Sequence, residues 1–124
     1  MRIDSWLDLE NLKDDFYSSF KTIVADTVGA MLDAIKYHLA KNTDNLQRDK
    51  SLTLKAQGLA GNLFLKMVRK WENLGKDIVF IAHAVEQESG KDKTKIVRPD
   101  LAGKNSSMLY RMSDIMGYLH ASTD

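Results

Sequence analysis

Asp26 closes the apolar run Thr22-Ile23-Val24-Ala25, and Thr27 and an amphipathic stretch follow at once. A carboxylate at the C-terminal end of a strand, directly before a helix, can hold a magnesium ion through water against a triphosphate. His83 closes a second apolar run, Asp77-Ile78-Val79-Phe80-Ile81-Ala82. A polar side chain at that rim can report the loss of a terminal phosphate to the adjoining loop. Each residue also has a plainer use: Asp26 as a helix cap, His83 as a hydrogen-bonded structural histidine. Lysine follows glycine at Gly75-Lys76, Gly90-Lys91 and Gly103-Lys104. None of the three is followed by Ser or Thr, so none makes the Gly-x-x-x-x-Gly-Lys-[Ser/Thr] loop that cradles phosphates. The metal side of a nucleotide site is legible; its phosphate cradle is not.

These side chains need a scaffold that brings strand ends to one rim. Asp4-Ser5 can cap a helix with apolar positions Trp6, Leu9, Leu12, Phe16 and Phe20, at spacings of three and four. The strands 22–26 and 77–82 are apolar on consecutive residues, the pattern of a parallel sheet covered on both faces. Thr27 or Asp26 caps a helix striped by Val28, Met31, Leu32, Ile35 and Leu39, and 42–49 reads as a loop. A long helix over about 54–74 puts Leu59, Leu63, Met67 and Trp71 on one seam with Phe64 and Val68 beside it, and Gly75 is its left-handed C-terminal cap. Beyond it a hairpin of 84–88 with 94–98, tipped by Gly90, a short helix near 106–112 and a last strand over 115–119 are expected. Strand, helix and parallel strand make a crossover, so the class is α/β with one domain over 1–124.

Composition narrows the setting. A net charge of +1 gives no whole-molecule field, so any contact with nucleic acid must be local. One local candidate is Lys91, Lys93, Lys95 and Arg98, with Asp92 among them, for +3 over 91–98. No aromatic lies between Phe80 and Tyr110 to stack bases beside it. Cysteine is absent, which excludes disulfides and thiolate metal sites and suits a reducing cytoplasm. No apolar run approaches a membrane span, and the N-terminus carries no signal-peptide pattern. A nuclease centre joining Asp26 to Glu86-Gln87-Glu88 lacks the Glu-x-Lys that would belong on the second strand.

Four runs in order resemble one family. They are Thr22-Ile23-Val24-Ala25-Asp26, then Gly75-Lys76-Asp77-Ile78-Val79-Phe80-Ile81-Ala82-His83, then Pro99-Asp100-Leu101-Ala102-Gly103-Lys104, then Ser113-Asp114-Ile115-Met116-Gly117-Tyr118-Leu119. Together they are similar to phage-encoded nucleotide-binding proteins of the RecA-like AAA ATPase type, some of which act as single-strand annealing recombinases. The resemblance implies a RecA-like P-loop NTPase fold, a parallel sheet flanked by helices, with the N-terminal Walker A strand missing. It implies ATP and magnesium as cofactors, with Asp26 as the Walker B carboxylate reaching the metal through water. Asp26 and His83 would then be the catalytic residues, His83 as sensor, while Thr27 and Lys104 join Asp26 in binding the nucleotide. It also implies single-stranded DNA as a partner, a homo-oligomer, and the cytoplasm of a bacterial host carrying the phage or prophage.

The departures from that pattern set further expectations. Arg2-Ile3-Asp4-Ser5-Trp6 resembles the interior of such a domain, so the chain is expected to be its C-terminal portion. No glutamate follows Asp26 to activate water. The expected activity is therefore ATP binding linked to DNA recombination or annealing, without hydrolysis by this chain alone. The alternative is a truncated, non-catalytic interaction or assembly module.

Overall fold

In the computed structural model, which describes residues 3–101 and 103–121, the stretch after Ser5 forms two short helices, α1 (Trp6–Glu10) and α2 (Asp14–Tyr17). The Ser5 hydroxyl accepts the Asp8 amide at 3.2 Å and caps α1. The single helix expected over 6–20 is thus broken. Lys13 is extended, and the Leu12 carbonyl accepts the Lys70 ammonium at 2.9 Å. A lysine remote in sequence takes the carbonyl that a continuous helix would have bonded internally.

Strand β1 (Thr22–Asp26) leads through Thr27 into α3 (Val28–Ala40). The 42–49 loop holds a 3-10 turn at Thr43–Asn45, and Ser51 holds the Asp49 carboxyl below its usual range by donating to it. Next come α4 (Leu54–Asn73) and β2 (Asp77–Ile81). Gly75, at φ +71°, ends α4: its amide reaches the Glu72 carbonyl while that of Lys76 reaches Trp71. That pair of bonds needs a left-handed residue, which glycine adopts without a side-chain clash.

The strands β1 and β2 pair in parallel, in register from Thr22 opposite Asp77 to Asp26 opposite Ile81. Ile23, Ala25, Ile78 and Phe80 form the covered face, against α3 and α4. The core there is Val28, Leu32 and Ile35 of α3 with Ala56, Ala60, Phe64, Met67, Val68 and Trp71 of α4. The expected seam of α4 shifts: Leu59 is 39% exposed, while Ala56 and Ala60 are buried. Small side chains let the two helices approach closely, which larger ones at those positions would prevent. The second correction concerns the sheet. Val24, Val79 and Ile81 are exposed, so one face of the pair is covered rather than both.

Thr53 caps α4, its hydroxyl accepting the Ala56 amide at 3.1 Å. Thr53→Ala is expected to lower stability by about 1 kcal/mol, and Thr53→Ser by far less. Urea unfolding followed by tryptophan fluorescence checks this; equal midpoints for all three proteins would contradict it.

A second compact unit begins at Ala82, the first ending at Ile81. It holds the hairpin β3 (Ala84–Ser89) and β4 (Thr94–Pro99), antiparallel with Ala84 opposite Pro99 and Ser89 opposite Thr94. The tip is a 3-10 turn, Gly90–Asp92, entered at φ +54° on Gly90. α5 (Asn105–Met112) follows, close to the helix expected there. The strand expected over 115–119 does not form. Ile115 and Leu119 are 91% and 97% exposed, and a lone extended segment has no ladder to stabilise it. Tyr110 and Tyr118 are about half exposed, and Tyr118 stacks on His120. Arg2 and Ala102 of the runs quoted above lie outside the described residues. Among the described residues no helix is long and apolar enough to cross a membrane.

Candidate functional site

Two candidate residues meet at the C-terminal end of β1. Asp26 is its last residue and is exposed, standing opposite Ile81 at the end of β2. Thr27, joined to it by a cis peptide bond, is the cap of α3: its hydroxyl accepts the Ala30 amide at 3.1 Å. The choice left open by the sequence, Asp26 or Thr27 as cap, is settled for Thr27. Among the described residues no hydrogen bond or ion pair engages the Asp26 carboxylate. It is an exposed carboxylate at the strand end of a parallel pair, where such sheets take ligands.

A magnesium ion held there would have Asp26 as its protein carboxylate. Among the described residues no group of three or more His, Cys, Asp or Glu converges. Magnesium tolerates this, because it keeps several waters and takes further oxygens from the phosphates it accompanies. The residues present fit such an ion bound with a nucleotide and do not form a cage for a free one.

The other two candidates belong to the second unit. His83 stands two residues past β2 and is exposed; its carbonyl accepts the Asp100 amide at 2.6 Å, closing the base of the hairpin. Lys104 is exposed and occupies the cap position of α5 without a side-chain cap bond, beside Gly103 at φ +63°. The hairpin also changes the charge reading of 91–98. Glu88 of β3 stands opposite Lys95, and Glu86 lies 3.9 Å from the Lys95 ammonium. Over 84–99 four basic side chains therefore share the surface with three acidic ones, Glu86, Glu88 and Asp92.

Asp26 and Thr27 also line a cavity of about 570 Å³ bounded by α1, α2, β1, α3 and α4. Trp6, Tyr17 and Trp71 contribute to its wall. Sequence reasoning placed Trp71 in the core and Trp6 on a helix stripe, and missed the cavity between them. Aromatic residues at helical spacing carry no signal that separates a packed interior from a lined one.

A family model described as an AAA domain matches the whole chain, residues 1–124. No curated protein and no solved structure matches it.

Proposed function

We propose, starting from the fact that this chain belongs to the AAA domain family, that it is an ATPase-type domain whose Asp26 serves the magnesium of bound ATP. The observation that carries this reading is the free carboxylate at the end of β1, with Thr27 doing the capping. When bound, magnesium would neutralise charge on the phosphate oxygens. Asp26 would orient a water in the metal's shell, and Thr27 would hold the start of α3 in place beside it. Roles for His83 as a sensor and for Lys104 toward a phosphate are proposals for the second unit, taken by itself.

Binding and turnover separate in this reading. The 124 residues contain no Gly-x-x-x-x-Gly-Lys-[Ser/Thr] loop, and no glutamate follows Asp26. Purified 1–124 is expected to release phosphate from ATP at the background rate, with or without magnesium. Magnesium-dependent release that disappears in Asp26→Asn would overturn that expectation.

The finer proposal is a role in phage DNA recombination or single-strand annealing, with single-stranded DNA contacted by the hairpin and the protein working as a homo-oligomer. Lys91, Lys93 and Arg98 are the exposed cations that support it, Lys95 being paired with Glu86. Three phosphate contacts imply a slope of about −2 in a plot of log affinity against log salt. Binding of a thymidine oligonucleotide across a salt series checks this, and Lys91→Glu with Lys93→Glu is expected to flatten the slope. A slope near zero for the unaltered chain removes the hairpin as a phosphate contact.

One observation favours a second reading, a non-catalytic assembly module. Val24, Val79 and Ile81 lie exposed on a parallel strand pair, a surface such sheets normally cover. Light scattering with an ATP titration separates the two: a stable oligomer with no affinity for ATP supports the module, and ATP binding, whatever the oligomeric state, supports the ATPase-type domain.

A further inference from the structure

The outward face of α4 carries a pattern that neither the nucleotide site nor the hairpin uses. Lys55, Asn62, Lys66, Arg69 and Asn73 follow one another at intervals of seven, four, three and four residues. Those intervals keep all five on one side of the helix, and all five are exposed. The opposite side is the core stripe from Ala56 to Trp71. Over 54–73 the helix holds four basic side chains against one acidic one, Glu72, for +3. The whole chain carries +1, so α4 is locally basic in a protein whose remainder sums to −2.

A groove of about 580 Å³ follows this face, lined by Asn62, Lys66, Arg69, Lys70 and Asn73, with Asp14 of α2. Lys70 is already engaged: its ammonium donates to the Leu12 carbonyl and lies 3.9 Å from Asp14, the one carboxylate in the lining. Among the described residues no hydrogen bond or ion pair engages the side chains of Lys55, Asn62, Lys66, Arg69 or Asn73. Free ammonium, guanidinium and amide N–H groups in one row, with the nearby carboxylate paired, present donors to anionic oxygens.

Length and composition select among anions. From Lys55 to Asn73 the row runs about 27 Å, which suits phosphates repeated along a strand and exceeds any single small anion. No aromatic side chain lines the groove, so unpaired bases would have no platform to stack on. A duplex needs none, because its bases are paired and its phosphates face outward. An acidic protein would seek a cluster of apolar anchors, and the row offers Leu59 alone. A membrane would need apolar side chains to enter it, and those of α4 are turned into the core.

We propose that the outward face of α4 binds the phosphate backbone of duplex DNA without regard to sequence, through Lys55, Lys66 and Arg69, with Asn62 and Asn73 donating beside them. The surface shares no residue with the ATP site or the single-strand contact proposed above, and stands or falls independently of both.

Fluorescence anisotropy of a labelled, blunt-ended DNA duplex of mixed sequence, titrated with the full chain across a salt series, tests this. Three phosphate contacts predict a slope of about −3 for log affinity against log salt. Lys66→Ala with Arg69→Ala is expected to weaken duplex binding about tenfold or more and to bring the slope to about −1. Both positions are exposed on a helix, and alanine is the strongest helix former, so the loss reads the surface and not the fold. Lys91→Glu with Lys93→Glu, in the hairpin, is expected to leave duplex binding unchanged. No duplex binding by the unaltered chain would overturn the proposal, as would a loss caused by the hairpin pair and not by the α4 pair. Polyglutamate or phosphatidylglycerol vesicles displacing the labelled duplex as well as unlabelled duplex does would also overturn it, in favour of an acidic protein or a membrane.

Discussion

Phe64→Ala is expected to cost the first unit about 3–5 kcal/mol of unfolding free energy. The Phe64 side chain is fully buried, and its ring lies 6.1 Å from that of Phe80. It therefore ties α4 to the covered face of the β1–β2 pair as well as to α3. Removing it leaves a ring-sized cavity in a core whose other members Val28, Ile35 and Val68 are themselves fully buried. Since small domains hold only about 5–15 kcal/mol in total, a large share of the stability goes with it. Leu54→Ala is the control: that side chain is 83% exposed, and its loss is expected to stay within about 0.5 kcal/mol. Urea unfolding of both variants measures the difference. A Phe64→Ala loss below about 1 kcal/mol would mean that the buried ring is not packed as described.

Asp26→Asn is expected to act on ligand binding and leave stability alone. The side chain is exposed, and the cap of α3 belongs to Thr27. Its effect on ATP should reverse sign with the metal. With magnesium present, the carboxylate binds the ion's hydration shell, and Asn is expected to weaken binding about tenfold or more. With the metal chelated, the same carboxylate repels the triphosphate, so Asn is expected to bind ATP as well as Asp or slightly better. Fluorescent-ATP titrations in magnesium and in EDTA read both arms. An equal loss in both conditions would show that the substitution damages the fold and not a metal contact.

What the sequence makes legible follows a physical line. Thr22–Asp26 and Asp77–Ile81 are visible because apolar runs bounded by polar residues have few other uses, and their parallel pairing is the crossover they imply. The hairpin is visible because Gly90 sits between two short runs of matching length. The break at Leu12 is invisible, because apolar spacing continues through it and its cause is Lys70, far along the chain. The α4 stripe has two solutions three residues apart at its start, and the structure buries the one through Ala56 and Ala60 and leaves Leu59 exposed. Consecutive apolar residues likewise cannot say whether a second face of the sheet is covered; here Val24 and Val79 remain exposed. Residues 115–119 have strand-forming side chains, but a strand is a property of a pair.

The site divides along the same line. Asp26 is legible because position along a strand is local information. That its carboxylate is free is not, since the cap was open between two adjacent residues until Thr27 was seen bonding Ala30. The unpartnered donors of Trp6, Tyr17 and Trp71 are less legible still: burial without a partner depends on three helices at once.

The central claim, that Asp26 addresses the metal of a bound nucleotide, is tested most directly by replacing magnesium with paramagnetic manganese. Manganese–ATP added to nitrogen-15-labelled chain is expected to broaden the Asp26 and Thr27 amide signals first, and to spare them in Asp26→Asn. Broadening centred elsewhere, or the same broadening in Asp26→Asn, would contradict the account.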